Sequence, residues 1–239
     1  LAQVAGQLME AKVKNILLEK PGGISLTEVS RLAEHSRVSG SSVLVGFNRR
    51  FFASTLKARE IIEADGGIRS CNFDFTEWLN TMPPGYSPEI LRHWILSNPI
   101  HVIDLFTDLC GSPTEMACFQ AGAISWHTAG TVFSGAGVTD QGCLFSYHAN
   151  WESAGRWGLE LMTDNRKLIM CPMEKLAEVK KHSVARCEID IDDSLDRNFK
   201  PGVYRQIEAF LNGETEHFCD IQQQLMNFEQ YYQIAGYKR

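Results

Sequence analysis

Apolar positions at Leu1, Val4, Ala5, Leu8 and Met9 share one face of a helix, which the spacing predicts over residues 1–12. The unbroken apolar run Ile16-Leu17-Leu18 follows and reads as a buried strand. Pro21 has no N–H for a ladder, so the strand must stop there, just after Glu19 and Lys20. Ser25-Leu-Thr-Glu28 has capping-box spacing, and Val29, Leu32 and Ala33 carry the apolar face of the helix it opens. A second apolar strand runs from Ser42 to Phe47. This α-β-α-β alternation predicts a parallel sheet with right-handed crossovers.

The pattern then changes. A helix is expected over 55–64, with Leu56, Ile61 and Ile62 inward and Gly66-Gly67 ending it. A strand over 68–78, a loop over 79–88 containing Pro83-Pro84-Gly85, and a helix over 99–109 ended by Gly111 come next. Strands are expected at 116–122, 124–133, 142–151, 157–163, 166–171 and 184–191, joined by short turns such as Thr163-Asp164-Asn165. Short turns favour antiparallel neighbours. Helices near 202–212 and 219–235 close the chain. The fold class is therefore α/β followed by α+β. Residues 1–48 form the C-terminal part of a doubly wound parallel domain, and 49–239 an α+β domain on a large, open-faced antiparallel sheet.

Composition narrows the function classes. The 239 residues are 44% hydrophobic and 22% charged with net charge −6, and basic residues are scattered. Nothing steers the chain to nucleic acid or an anionic membrane. No apolar run is long enough to span a bilayer, and the first residues lack a signal-peptide pattern. Seven irregularly spaced cysteines without a Cys-x-x-Cys argue against a disulfide framework or zinc site and suit a reducing cytoplasm. His127, His148, His182 and His217 lack ligand spacing, and Asp190 to Asp196 lack the glycine and glutamate of a calcium loop, so no metal is expected. Ser54-Thr-Leu-Lys57 has Ser-x-x-Lys spacing without partner motifs.

Candidate chemistry gathers at strand ends. Ligands of open α/β sheets settle beyond the carboxyl ends of the strands, which is where Lys20 falls. A lysine there can handle protons. Asn48 and Arg49 end the second strand and can line a cofactor or substrate cleft. His101 precedes Asp104 by three residues, so both can share a helical face. Arg92 and Trp94, just before that helix, and Tyr204, at the start of a terminal helix, are candidates for substrate contact.

Three segments together, Glu19-Lys20-Pro21, Val45-Gly-Phe-Asn-Arg-Arg-Phe51 and Pro99-Ile-His-Val-Ile-Asp-Leu105, resemble the motifs of the Gfo/Idh/MocA family of sugar and cyclitol oxidoreductases. They occur in that family's order, on the expected strand, strand and helix. The resemblance implies a Rossmann-type nucleotide domain ahead of an antiparallel-sheet domain, and hydride transfer between NAD or NADP and the hydroxyl of a sugar, sugar derivative or cyclitol. It implies catalytic roles for Lys20 and His101, cofactor contacts from Glu19, Lys20, Pro21 and Asn48, and substrate contacts from Arg49, Arg92, Trp94, Ser97, Asn98 and Tyr204. Asp104 is assigned a structural role. A base is needed because a carbinol losing hydride must also lose its hydroxyl proton. The cationic nicotinamide should ease deprotonation of a nearby lysine. A homodimer or homotetramer through the antiparallel sheet is expected.

Two departures stand out. Many family members carry an aspartate four residues before the histidine, where this chain has Ser97, and serine cannot act as a carboxylate. The Gly-x-Gly-x-x-Gly fingerprint after a first strand is also missing, since Gly135 to Asp140 is followed by no helix. The expectation is thus a truncated chain, short of roughly two or three βα units, that holds dinucleotide poorly alone. The alternative is a non-catalytic protein sensing sugar or dinucleotide on the same scaffold.

Overall fold

The structure, a computed structural model, describes residues 1–79 and 85–238; Pro83 and Pro84 of the expected loop lie outside the described residues. The chain opens with α1 (Ala2–Glu10), β1 (Asn15–Leu18), α2 (Leu26–Ser39) and β2 (Ser42–Val45), as the alternation predicts. Ser25 caps α2 by accepting from the Glu28 N–H at 3.2 Å, and the Glu28 carboxylate accepts from the Ile24 N–H at 2.8 Å. β1 and β2 pair in parallel, with Leu18 beside Val45. Both strands therefore deliver their carboxyl ends to one edge.

A 3₁₀ turn (Asn48–Phe51) follows β2 directly. After α3 (Ala53–Ala64) come β3 (Ser70–Asp74) and two short helices, α4 (Pro88–Arg92) and α5 (Trp94–Ser97), in a stretch to which the sequence pattern assigned no element beyond Pro88. Ser87 caps α4 with Pro88 in its first turn, so Pro88, the last residue of the expected loop, instead starts a helix. α6 (Ile100–Cys110) is buried along almost its whole length.

The second sheet orders its eight strands β10-β9-β8-β7-β3-β6-β5-β4, comprising β4 (Pro113–Ala121), β5 (Val132–Thr139), β6 (Leu144–Asn150), β7 (Gly158–Met162), β8 (Arg166–Met170), β9 (Ala177–Lys180) and β10 (Arg186–Glu188). Every pairing is antiparallel except β3 with β6. Residues 124–131 are not the predicted strand: Ile124 and His127 exchange backbone hydrogen bonds at 3.2 and 3.0 Å to close a tight turn, and the ladder resumes only at Val132. Gly135 and Gly137 sit inside β5 rather than in a turn, and a Cβ on Gly135 would lie 2.4 Å from the Tyr147 ring and 2.5 Å from the Ala117 carbonyl. Glycine is the price of that approach. The strand expected over 184–191 is also shorter, and β9 was not anticipated.

α6 covers one face of this sheet, where Phe106 stacks on Phe73 at 4.7 Å and packs at the same distance on Phe145. The opposite face is open, leaving Phe119 and Leu144 exposed. The chain ends with α7 (Ser194–Asn198), α8 (Val203–Asn212), β11 (Cys219–Asp220) and α9 (Ile221–Ala235). β11 pairs antiparallel with β2, making the first sheet β1-β2-β11. One continuous core runs from Leu18 and Val45 through Ile221 and Phe228 to Phe73 and Phe106. That core holds the edge of the first sheet against α6.

Candidate active site

The carboxyl ends of β1 and β2, the end of α5, the start of α6 and the first turns of α8 enclose a cavity of about 580 Å³. Glu19, Lys20, Asn48, Arg49, Ser97, Asn98 and His101 line it, together with Tyr86, Lys200 and Gln206. The other expected site residues are elsewhere. Pro21 follows a cis peptide bond and its carbonyl accepts from Gln224 Nε2 at 2.8 Å. Arg92 is exposed on α4. Trp94 is buried edge-on against Tyr86. Tyr204 stacks on Phe199 in an adjoining exposed groove.

Lys20 enters from the end of β1, and its ammonium donates to the Ser97 carbonyl. Burial is the main influence on it and the Arg49 charge the next; together they lower its pKa to about 8. His101 lies in the first turn of α6, buried between Phe47, edge-on at 6.0 Å, and Trp157 at 6.3 Å. Burial first, then the charges of Arg49, Lys20 and Lys200, hold its pKa well below the usual range, so the imidazole is neutral at pH 7. Among the described residues its Nδ1 has no hydrogen-bond partner, and neither has Gln206 Nε2. Buried polar atoms are normally satisfied, so two unsatisfied ones on residues lining one cavity mark a place for a partner that the described residues do not supply.

Asp104 has the structural part assigned to it. Arg50 reaches from the 3₁₀ turn to grip it with two hydrogen bonds, Nε at 2.9 Å and Nη2 at 2.7 Å, both groups fully buried. This pair ties the Asn-Arg-Arg segment to the helix of His101. Asn48 fixes the other side: its Nδ2 donates to the Pro201 carbonyl at 2.9 Å and its Oδ1 accepts from Arg49 at 2.9 Å.

Ser97 contributes its carbonyl to Lys20, while its hydroxyl turns back to the His93 carbonyl at 3.3 Å. A carboxylate is nevertheless close. Glu77 is buried and accepts from Asn98 Nδ2 at 2.7 Å, with Arg156 3.7 Å from its other oxygen. Desolvation raises its pKa to about 7, against the pull of Asn98 and Arg156. Sequence reasoning missed Glu77, although a signal existed. Cys71, Phe73 and Phe75 are the buried alternate positions of this segment, and Glu77 continues their parity. A carboxylate in an apolar phase is a marker of special environment. Lys200 and Gln206 carried no comparable signal.

No protein-family model and no curated protein matches the sequence. Solved structures do match in fold. UDP-N-acetylglucosamine 3-dehydrogenase from Acidithiobacillus ferrooxidans aligns with TM-score 0.75 at 17% identity, over 99% of this chain and 74% of that one. A dehydrogenase from Chromobacterium violaceum aligns with TM-score 0.76 at 17% identity, over 98% of this chain and 72% of its own. An inositol dehydrogenase homolog from Azotobacter vinelandii, solved with NADH and myo-inositol, gives 0.72 at 12% identity, over 98% of this chain and 72% of its own. The chain has the fold of Gfo/Idh/MocA-type oxidoreductases.

Proposed function

We propose that this chain carries the proton-handling site of a nicotinamide-dependent oxidoreductase acting on the hydroxyl of a sugar, sugar derivative or cyclitol, with NAD or NADP as cofactor. One observation carries the reading: Lys20 and His101 line one cavity at the carboxyl ends of the parallel strands, both displaced toward their neutral forms. The fold-level neighbours include enzymes of this class. The unpartnered His101 Nδ1 and Gln206 Nε2 fit a polar group arriving in that cavity, so the nicotinamide end of a cofactor is compatible with the residues present. Residues 1–239 contain no Gly-x-Gly-x-x-Gly turn to cradle a pyrophosphate.

When bound, the nicotinamide supplies the hydride acceptor or donor. The remaining work falls to the protein. At pKa about 8, roughly a tenth of Lys20 is neutral at pH 7, against well under a thousandth of an ordinary lysine near 10.4. The neutral amine takes the substrate hydroxyl proton during oxidation, and the ammonium returns it during reduction. His101, neutral and packed between aromatic rings, serves as a second proton acceptor or as a donor to the same oxygen. Asn98, held by Glu77, and Arg49, held by Asn48, position the rest of the substrate.

The test is the complete product of the coding region, assayed for cofactor reduction with NAD⁺ and NADP⁺ across a polyol panel. Turnover of at least one polyol is expected, and Lys20→Ala should lower it by about 10²- to 10⁴-fold. Full activity in Lys20→Ala overturns the assignment. Calorimetric binding of a polyol without cofactor reduction would favour the sensing alternative instead, a reading supported by Ser97 standing where the family carries aspartate. The open sheet face with exposed Phe119 and Leu144 supports a homodimer or homotetramer. The seven free cysteines support a reducing, cytoplasmic setting. Among the described residues no helix is long and apolar enough to cross a membrane, and no cluster of metal-ligating side chains occurs.

A further inference from the structure

Arg49 breaks a rule that the other shielded arginines obey. Arg50 pairs with Asp104 and Asp108, Arg59 with Asp108, Arg166 with Asp65 and Glu178, and Arg205 with Asp196. Among the described residues, Arg49 alone of the arginines withdrawn from solvent has no carboxylate within ion-pair distance. Its guanidinium donates to the neutral Asn48 side chain and lies 5.2 Å from the Trp157 ring centre. A desolvated cation without a counter-charge is costly, and folding tolerates it where a ligand supplies the charge.

Arg49 is also not alone. Lys20 and Lys200 line the same cavity and likewise form no ion pair among the described residues, whereas the lining includes one acid, the exposed Glu19. Three cations thus face one anion. Glu174 and Glu77 act on Arg49 only at longer range. An oxidised nicotinamide would add positive charge to this cavity. A neutral polyol would leave the imbalance standing.

Building on the oxidoreductase reading, we propose that the substrate of this site is an anionic polyol, whose carboxylate or phosphate seats on Arg49 and Lys200 while Lys20 handles the reacting hydroxyl. Arginine suits this role because its fork presents parallel donors to two oxygens of one anion, and the flanking Trp157 ring and Asn48 side chain restrict its orientation. Lys200, an exposed point charge lining the cavity, fits capture of the same group.

The experiment is calorimetry on the complete protein with NAD⁺ present, using matched pairs: D-glucuronate against D-glucose, D-galacturonate against D-galactose, and D-glucose 6-phosphate against D-glucose. A charged hydrogen bond leads to an expected preference of about ten- to a hundredfold for at least one anion over its neutral partner. The uronates and the sugar phosphate separate carboxylate from phosphate as the anchor. Arg49→Gln should bring each favoured pair within about threefold, and Lys200→Gln should reduce the preference and its dependence on salt. Equal binding within every pair, no binding by any anion, or a preference that survives Arg49→Gln would each overturn the proposal. Failure here is separable from failure of the parent reading. Turnover of neutral polyols without anion binding leaves an oxidoreductase with a neutral substrate. Anion binding lost in Arg49→Gln, with no turnover of any compound, leaves the anion site and removes the enzyme.

Discussion

Replacing Asp104 by asparagine would remove the charge that Arg50 grips while leaving the shape of the side chain intact. The two hydrogen bonds, at 2.9 and 2.7 Å, lie where Arg50 is 2% and Asp104 0% exposed. Asparagine can accept only one of those bonds, and its amide donor would face guanidinium donors. Breaking a buried pair costs about 3–5 kcal/mol, because a charge is stranded rather than merely unpaired. Arg50 keeps Asp108 at 3.0 Å, so the lower end, about 3 kcal/mol, is expected. For a chain of this size that corresponds to a fall of about 6–12 °C in melting temperature. The assay is thermal and urea unfolding of parent and variant, and a loss below about 1 kcal/mol would refute the reasoning. A double replacement, Arg50→Met with Asp104→Leu, provides the control: with no charge stranded at either position, it should be more stable than Asp104→Asn. Catalysis should follow stability here, because the pair joins Asn48 and Arg49 to the helix of His101.

Three further outcomes follow from the geometry. The oxidation rate should rise with pH through an apparent pKa near 8 as the Lys20 amine loses its proton, and the pH profile of Lys20→Ala should lack that limb. Glu77→Gln should move the Lys20 limb to lower pH, because the Glu77 charge raises the lysine's pKa; an unmoved or upward-shifted limb in a pH–rate profile would remove Glu77 from the site's electrostatics. Gly202→Ala should destabilise the protein by about 2 kcal/mol or more in urea unfolding, because φ is +71° and a Cβ would lie 2.1 Å from the Asn48 carbonyl. That carbonyl belongs to the backbone and cannot step aside. The same substitution should weaken ligand binding, since Pro201 holds the Asn48 amide.

The sequence by itself determined the elements whose signals are local. The capping box at Ser25, the apolar runs of β1 and β2, and the proline after Lys20 each act within a few residues, so their outcome needed no tertiary partner. Motif order was also enough to bring Lys20, Arg49 and His101 to one cavity. What only the tertiary structure decided was the environment of those groups. The neutrality of His101 comes from distant aromatic rings and three cations, and the depressed lysine from burial beneath α5. The β5 glycines fell between two expected strands, and only the Tyr147 ring and the Ala117 backbone packed against Gly135 give the reason for a glycine there. Glu77 reached the site by a fold-level juxtaposition with Asn98, twenty-one residues away. Desolvation and charge coupling depend on what the rest of the chain packs around a group, and no local pattern encodes that.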